Sequence, residues 1–176
     1  MAIHKKIFEQ VYRAAFGNIR YARLKGASIG NNCRLFTRFI GSEPFLISIG
    51  NNVTIAPGVK LVTHDGSASL MKDSKGRRYS YQPIEIGNNV FIGVNSVIMP
   101  GVKIEDNVIV GAGSVVTKSI PARTIVAGVP ARVITKYDDL EQRMLNNMVT
   151  HQQLDMSIPY KERVLKVTEF TFKPFL

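Results

Sequence analysis

The middle of the chain places an aliphatic side chain at every sixth position. Six consecutive repeats begin with a branched aliphatic residue: Ile86, Ile92, Ile98, Ile104, Val110 and Val116. The fourth residue after each of these is small or aliphatic: Val90, Ser96, Val102, Val108, Ser114 and Ile120. Neither the period of about 3.6 of a helix nor the period of about 2 of a strand produces this spacing. Two shorter series occur upstream: Ile49, Ile55 and Leu61 with Val53 and Val59, and Ile29 and Leu35 with Cys33 and Phe39.

Turn-forming residues separate the aliphatic positions. Glycine directly follows five of them: Gly30, Gly50, Gly87, Gly93 and Gly111. A Gly-Asn-Asn triplet follows Ile29, Ile49 and Ile86. Glycine and asparagine tolerate positive φ and therefore suit tight turns. The period predicts a short strand and a turn in each repeat, with one aliphatic and one small side chain directed inward, and such units stack into a solenoid.

The period is interrupted twice. The chain from Leu35 to Ile49 is two residues longer than two repeats, and the excess falls near Gly41–Pro44. The second interruption is the segment from Asp65 to Pro83, which is polar and contains no repeat. We expect this segment to form a loop that leaves the solenoid. Loops on a rigid scaffold commonly carry functional residues.

Helical patterns flank the repeats. An N-terminal amphipathic helix within residues 1–26 is predicted by apolar residues at helical spacing: Ile3, Ile7, Val11 and Ala15. A helix with Asp138 or Asp139 as its N-cap is predicted by a second apolar series: Leu140, Met144, Leu145 and Met148. Pro159 suits the first turn of a third helix. Residues 135–176 are therefore expected to form a C-terminal helical extension.

These motifs resemble those of the hexapeptide-repeat acyltransferases. The repeat of that family is an aliphatic residue, glycine or a similar residue, two variable residues, a small residue and one more. The resemblance covers residues 27–134. It implies an all-β solenoid, a left-handed parallel β-helix in which three hexapeptides form one triangular turn. The Gly-Ser-Glu-Pro segment at residues 41–44 is similar to the sugar O-acetyltransferase branch associated with surface polysaccharide biosynthesis.

His64 is the candidate general base. It stands where the repeat series ends and the long loop departs. A sugar hydroxyl is a poor nucleophile at neutral pH, and an imidazole with a pKa near ~6.5 suits the removal of its proton. In the sugar O-acetyltransferases that the chain resembles, a histidine at this place is the base. Asp65 and Glu43 are both candidates for holding the second ring nitrogen of His64. Glu43 is also a candidate for binding acceptor hydroxyls. The alternative role for either carboxylate is to cap a turn.

The resemblance assigns acetyl-CoA, the acetyl donor, to the later repeats. The segments 111–118 and 127–133 closely match the coenzyme-binding end of the family. The resemblance implies that Gly93 and Val94 line the thiol end of the coenzyme. It places Ala112 and Thr117 against the pantetheine arm, and Lys118 and Arg132 near the phosphates. Cations beside phosphates make charge-assisted hydrogen bonds. The alternative is that the small residues only satisfy the repeat and that Lys118 is a solvated turn residue.

Covalent catalysis and metal chemistry are not expected. Cys33 is the only thiol in the chain, and its small inward repeat position predicts an inert, buried side chain. Direct transfer within a ternary complex is therefore preferred. A metal hydratase on this fold needs three histidine ligands, whereas the repeats contain only His64.

Composition and charge favour a cytoplasmic protein. Charged residues interrupt the N-terminal segment, so it does not have the pattern of a secretory signal, and a single cysteine forms no internal disulfide. The net charge is +10, and residues 1–38 hold eight basic side chains against Glu9 alone. This block suits phosphorylated substrates, an anionic membrane surface or a solvated helix face, and contact with a membrane-bound glycan precursor stays open. No recognised motif supports nucleic-acid binding.

The predicted function is O-acetylation of a saccharide hydroxyl. The alternatives are N-acetylation of an amino sugar, acetylation of a xenobiotic and a noncatalytic scaffold. The presence of His64 together with a complete coenzyme segment argues against the scaffold. The resemblance also implies a homotrimer with the coenzyme in the cleft between neighbours. Apolar residues expected on the outer faces agree with an interface: Phe45, Phe91 and Met99. The loop at 65–83 would then overhang the cleft and select the acceptor with four residues: Arg77, Arg78, Tyr79 and Tyr81.

Overall fold

The computed structural model describes residues 2–169 and 171–174, with side chains from residue 7 onwards. The chain divides into two compact units, Met1–Asp138 and Asp139–Leu176. Within the described residues the α-helices are α1 (Ala2–Leu24), α2 (Tyr137–Asn147) and α3 (Tyr160–Val167). The strands are short: β1 (Ser28–Ile29), β2 (Arg34–Leu35), β3 (Ile47–Ile49), β4 (Thr54–Ile55), β5 (Lys60–Leu61), β6 (Lys72–Asp73), β7 (Gly76–Arg77), β8 (Ile84–Ile86), β9 (Phe91–Ile92), β10 (Val97–Ile98), β11 (Lys103–Ile104), β12 (Ile109–Val110), β13 (Val115–Val116), β14 (Thr124–Gly128) and β15 (Ala131–Lys136).

Most strands belong to three parallel sheets that the chain visits in rotation. Their strand orders are β1-β3-β8-β11, β2-β4-β9-β12-β14 and β5-β10-β13. The pairs β8–β11, β9–β12 and β10–β13 align residues that lie 18 apart in the chain, such as Glu85 and Lys103. One circuit of the three sheets therefore takes three of the predicted six-residue repeats. Strand β15 is antiparallel to β14 and follows the parallel sheets.

The two inward positions of the repeat form the core. Every one of the twelve positions in the downstream series is buried, from Ile86 at 3% exposed to Ile120 at 4%. Upstream, Ile55 and Leu61 are 1% and 0% exposed. Burial of one branched aliphatic side chain contributes about 1.5–3 kcal/mol. The repeat is therefore the main source of stability of the parallel sheets.

Asparagine side chains stack at one corner of successive circuits. Asn52, Asn89 and Asn107 adopt φ values of 56°, 55° and 57°, as the turn prediction requires. Asn52 Nδ2 donates to Asn89 Oδ1 at 3.0 Å, and Asn89 Nδ2 donates to Asn107 Oδ1 at 3.2 Å. The preceding glycine has a different role, because a Cβ on Gly50 would lie 2.7 Å from the carbonyl oxygen of Gly87. Glycine there permits close approach of neighbouring circuits.

The first circuit departs from the repeat. Phe39, predicted to point inward, is 48% exposed, and Thr37 and Ile40 are buried instead. The pairing offset changes from 20 residues at Leu35 and Ile55 to 21 at Phe39 and Lys60, so Phe39 has the outward position of Lys60. Cys33, predicted to be buried, is only partly buried, and its Sγ donates to the carbonyl oxygen of Gly50 at 3.1 Å.

The outer faces carry two of the three predicted apolar residues. Phe45 and Phe91 are 67% and 45% exposed. Met99 is partly buried and packs against the core, so its predicted outward position is wrong.

Helix α1 is present as predicted, but it packs through other residues. The described members of the predicted apolar stripe are exposed: Ile7, Val11 and Ala15. The side chain of Ile3 lies outside the described residues. Tyr21 and Ala22 are buried, and α1 packs against β1 and β2. Gly17 interrupts the helical geometry with φ 79° and ψ 170°, so the stripe before it does not continue into the packed end.

The segment 65–83 leaves the sheets, as predicted. It contains a 3-10 turn and the antiparallel pair β6–β7. Its returning end pairs with the chain beyond β5, where His64 bridges to Tyr81 and the Gln82 backbone N–H donates to the Thr63 carbonyl oxygen at 2.9 Å. The loop therefore returns alongside His64.

The C-terminal helices begin at different residues from those predicted. Helix α2 begins at Tyr137, so Asp138 and Asp139 lie in its first turn and neither is the N-cap. Asp138 instead forms an ion pair with Arg123. Pro159 is the N-cap of α3 and not a residue of its first turn. Across the described part of the chain, no helix combines the length and apolarity needed to cross a membrane.

Candidate active site

His64 and Glu43 form the centre of the site. The Nδ1 atom of His64 lies 3.0 Å from Oε2 of Glu43. They meet because Phe39 bridges in parallel to Lys60, which lays the chain that carries Glu43 beside the chain after β5. Oε2 of Glu43 also accepts a hydrogen bond from the Thr63 hydroxyl at 2.6 Å. The Glu43 side chain is 18% exposed and that of His64 is 40% exposed, so the imidazole is accessible to a substrate.

The environment of Glu43 favours its ionised form. Burial by itself raises the pKa of this carboxyl, but the hydrogen bonds from Thr63 and His64 outweigh burial and hold the pKa below its ordinary value of 4.5. An ionised carboxylate only accepts hydrogen bonds, so Nδ1 of His64 is the protonated nitrogen. In a neutral imidazole, Nε2 then has the free lone pair. Glu43 thus selects the tautomer that a general base needs.

Asp65 belongs to a turn. Its Oδ1 accepts from the backbone N–H of Ser67 at 2.9 Å and from the Ser67 hydroxyl at 2.7 Å. These hydrogen bonds lower the pKa of the Asp65 carboxyl. Asp65 is the N-cap of the 3-10 turn at Gly66–Leu70. Of the two predicted carboxylates, Glu43 is therefore the one that contacts the imidazole, and Asp65 has the turn-capping position.

The loop at 65–83 forms an aromatic wall beside the imidazole. The ring of Tyr81 meets that of His64 edge-on, with centroids 6.1 Å apart, and Tyr79 stacks on Tyr81 at 6.2 Å. The guanidinium of Arg77 lies 4.8 Å above the ring of Tyr79. Together with Glu43 and His64 these residues line a pocket of about 110 Å³. Aromatic surface beside a few polar groups is typical of a small-molecule site.

Three of the predicted coenzyme residues share a second pocket. Thr117 and Lys118 follow β13, and Arg132 lies on β15, which turns back along β14. All three are exposed, and they line a pocket of about 280 Å³. Two cations beside one pocket favour an anionic ligand.

The other three predicted coenzyme residues lie elsewhere on the chain. Gly93 and Val94 follow β9 and Ala112 follows β12, whereas Thr117 follows a strand of a different sheet. A Cβ on Gly93 would lie 2.5 Å from the backbone nitrogen of Ala112, so this glycine permits close packing of two circuits. Val94 and Ala112 are exposed. Within one chain, the six predicted residues therefore form two groups.

Thr63 is a site residue that sequence reasoning missed. It is fully buried, and its hydroxyl donates to Glu43. The available signal was strand alternation, because Thr63 lies two residues after the buried Leu61 and therefore points to the same side. A polar side chain directed inward needs a partner. Among the described residues, no group of three or more His, Cys, Asp or Glu side chains is placed to hold a metal ion.

Known sequences are similar to this chain over most of its length. Residues 83–118 match the family described as hexapeptide repeat of succinyl-transferase. The chain is 44% identical over 146 residues to Protein CapG of Staphylococcus aureus, which covers 81% of this chain and 84% of that protein. It is 45% identical over 123 residues to galactoside O-acetyltransferase of Escherichia coli (strain K12), which covers 65% of this chain and 59% of that enzyme.

Solved structures share the fold. A galactoside acetyltransferase in complex with coenzyme A superposes with a TM-score of 0.51 at 34% identity, over 70% of this chain and 71% of that one. A maltose O-acetyltransferase from Clostridium difficile 630 superposes with a TM-score of 0.50 at 32% identity, over 68% of this chain and 74% of that one. The resemblance found in the repeat is thereby confirmed. The chain belongs to the hexapeptide-repeat acetyltransferase family and is similar to its sugar O-acetyltransferases.

Proposed function

We propose that this protein transfers an acetyl group from acetyl-CoA directly to a saccharide hydroxyl, with His64 as the general base. The observation that carries the proposal is the 3.0 Å contact between Nδ1 of His64 and Oε2 of Glu43 beside a pocket with an aromatic wall. That contact leaves Nε2 as the basic nitrogen. Relatives named galactoside O-acetyltransferase and maltose O-acetyltransferase support a saccharide as the acceptor.

His64 removes the hydroxyl proton as the acceptor oxygen attacks the thioester carbonyl carbon. A carbon–oxygen bond forms, the carbon–sulfur bond breaks, and the proton on Nε2 is available to the departing thiolate. Positive charge develops on the imidazole during this step, and the Glu43 carboxylate stabilises it. Thr63 holds Glu43 in place through the hydrogen bond to the same oxygen. Glu43 and Thr63 are positioning residues, and His64 is the catalytic residue.

The donor site would use the pocket of Thr117, Lys118 and Arg132. Lys118 and Arg132 supply cations for the phosphates of acetyl-CoA, and the small residue Ala112 leaves room for a thin chain beside the backbone. The galactoside acetyltransferase solved with coenzyme A supports the identity of the donor. His64 and Thr117 follow β5 and β13 of one parallel sheet, two strand positions apart, which corresponds to about 10 Å. A long donor molecule can span that distance.

We also propose that the parallel sheets coil with a left hand and that the protein forms a homotrimer. The predicted donor contacts form two groups within one chain, and a coenzyme held in a cleft between subunits would contact one group from each neighbour. The exposed rings of Phe45 and Phe91 supply apolar surface for such an interface. Closed threefold symmetry would then create three equivalent sites. We assign this trimer to the cytoplasm, where acetyl-CoA and saccharide precursors of surface polysaccharides are available.

The direct test is a panel of free sugars and amino sugars incubated with acetyl-CoA. We expect thiol release that depends on the acceptor, together with a product that carries one additional acetyl group by mass spectrometry. Fragmentation of the product then distinguishes an ester on oxygen from an amide on nitrogen. Exclusive amide formation would overturn O-acetylation, and thiol release that no acceptor accelerates would overturn sugar acetylation.

A further inference from the structure

A third pocket, of about 220 Å³, lies between helix α1 and the chain that carries Glu43. Helix α1 contributes Arg13 and Tyr21, Lys25 follows that helix, and the later chain contributes Arg38, Ser42 and Pro44. This cationic pocket shares no lining residue with the pocket of His64 or with that of Lys118. Its three cations, Arg13, Lys25 and Arg38, belong to the basic block at residues 1–38, for which the proposed mechanism has no role.

Two of its three cations are not compensated by an acid. The Lys25 ammonium is paired with Glu9, with Nζ 2.8 Å from Oε1. The Arg13 guanidinium lies 4.0 Å above the ring of Tyr21, and its Nε is buried without a hydrogen-bond partner among the described residues. Arg38 is exposed and has no acidic partner in the part of the chain that the structure describes. Two cations without an acidic partner at one pocket favour an anionic ligand.

The cationic pocket borders the His64 pocket through a single residue of backbone. Ser42 and Pro44 line the cationic pocket, and Glu43 between them lines the pocket of His64. Consecutive Cα atoms are about 3.8 Å apart. Gly41 also packs closely on this region, since a Cβ there would lie 2.9 Å from the Thr63 hydroxyl. A group bound beside Ser42 and Pro44 is therefore close to a hydroxyl presented to His64.

We infer that the cationic pocket binds a phosphoryl group on the acceptor saccharide, so that the preferred acceptor is a phosphorylated sugar. This inference rests on the proposed function. A guanidinium has a planar set of donors that matches phosphate oxygens in a bidentate geometry. A phosphomonoester has a charge of about −1.5 to −2 at pH 7, which matches two uncompensated guanidinium groups, whereas a carboxylate has about half of that charge. The shared chemistry includes sugar phosphates, sugar nucleotides and lipid-linked sugar diphosphates.

Binding of inorganic pyrophosphate tests the pocket without any acceptor. Calorimetric titrations are made with saturating coenzyme A, so that the phosphate contacts of the donor site are occupied. We expect Arg13→Gln and Arg38→Gln each to weaken pyrophosphate binding about 10-fold or more, because each removes charge-assisted hydrogen bonds. The control is Arg20→Gln, which removes the same charge from helix α1 outside the pocket. Arg38 is exposed, so its variant keeps the test informative if Arg13→Gln does not fold.

The binding titration has two outcomes that overturn the inference. One is the absence of saturable pyrophosphate binding by the wild-type protein. The other is an equal loss of affinity in Arg20→Gln, which would indicate a general effect of net charge. Retained affinity in Arg20→Gln, with a loss in Arg38→Gln, supports a built anion site.

Acetyl-transfer rates then identify the source of the phosphoryl group. Free sugar, sugar 1-phosphate, sugar nucleotide, lipid-linked sugar diphosphate and a sugar acid are compared with the same donor. We expect kcat/KM to be at least about 10-fold higher for a phosphorylated acceptor than for the free sugar, and this preference to decrease through KM in Arg38→Gln. Equal rates for free and phosphorylated sugars, or a preference for the sugar acid, would overturn the inference. If no acceptor reacts while pyrophosphate binding still depends on Arg38, the proposed function fails and the anion site remains.

Discussion

Replacement of Glu43 by glutamine removes the negative charge beside the imidazole while nearly preserving the shape of the side chain. Its matched control is Asp65→Asn, which removes a carboxylate from the residue adjacent to His64. The two carboxylates differ in what they contact: Glu43 contacts Nδ1 of His64, and Asp65 contacts Ser67. If the contact with the ring is what matters, only the first substitution slows the chemical step.

The size of the effect follows from the hydrogen bond that is changed. At 3.0 Å, the contact between Glu43 and His64 becomes an ion pair as the imidazole takes the proton. A hydrogen bond to a charged group contributes about 1.5–3 kcal/mol. The His64 side chain is 40% exposed, so solvent screening favours the lower part of that range. Because about 1.4 kcal/mol corresponds to a factor of ten, we expect kcat to fall by about 10- to 30-fold in Glu43→Gln.

The assay measures initial rates of thiol release with acetyl-CoA and acceptor both saturating. We expect an unchanged KM for acetyl-CoA in Glu43→Gln, since the residue does not line the donor pocket. Asp65→Asn should retain kcat to within about threefold, because its role is to cap an exposed turn. Thermal melts of both variants check that the fold is retained. The reasoning would be refuted by a larger loss of kcat in Asp65→Asn than in Glu43→Gln.

Three further predictions concern the donor site, the packing of the circuits and acid stability. Combined replacement of Lys118 and Arg132 by alanine should weaken acetyl-CoA binding at least 10-fold by calorimetry, since each phosphate contact contributes about 1.5–3 kcal/mol; unchanged affinity would exclude both residues from the site. Gly93→Ala should lower the unfolding free energy by about 1–3 kcal/mol, because the added Cβ would lie 2.5 Å from a backbone nitrogen. The control is Gly66→Ala, whose added Cβ meets no atom within 4 Å. Equal stability of the two variants would contradict this prediction. Because the pKa of Glu43 is lowered in the folded state, its carboxylate stabilises the fold at pH values above the ordinary pKa of 4.5, and this contribution is lost as the pH falls through the lowered pKa. Denaturant titrations should therefore show a smaller acid-induced loss of stability in Glu43→Gln than in the wild-type protein. An identical loss in the two proteins would contradict the assignment.

The inward positions of the repeat were predictable because each circuit takes a constant number of residues. Eighteen residues per circuit align every sixth side chain with a buried position of the circuit before it. The first circuit was less predictable, since its pairing register changes by one residue between Leu35 and Phe39 and leaves Phe39 exposed. The packing of α1 was also not evident, because Gly17 breaks the helix between the apolar stripe and the buried end. The repeat therefore predicts which side chains are buried only where its period is uninterrupted.

The site was predictable in part. His64 is recognisable from its place at the end of a repeat series and from the family resemblance. The choice between Glu43 and Asp65 was not available from the sequence, because both are close to His64 once the chain is coiled. The long-range bridge between Phe39 and Lys60 sets the register that brings Glu43 to the ring. The distances of donors and acceptors decide between two carboxylates, and a sequence does not contain them.

The central claim is that His64 is the general base of an acetyl transfer. The most direct measurement is kcat for His64→Ala with acetyl-CoA and a reactive acceptor both saturating, together with the affinity for acetyl-CoA. Loss of a general base predicts a fall in kcat of about 10²–10⁴-fold with coenzyme affinity retained. Turnover close to that of the wild-type protein would contradict the claim.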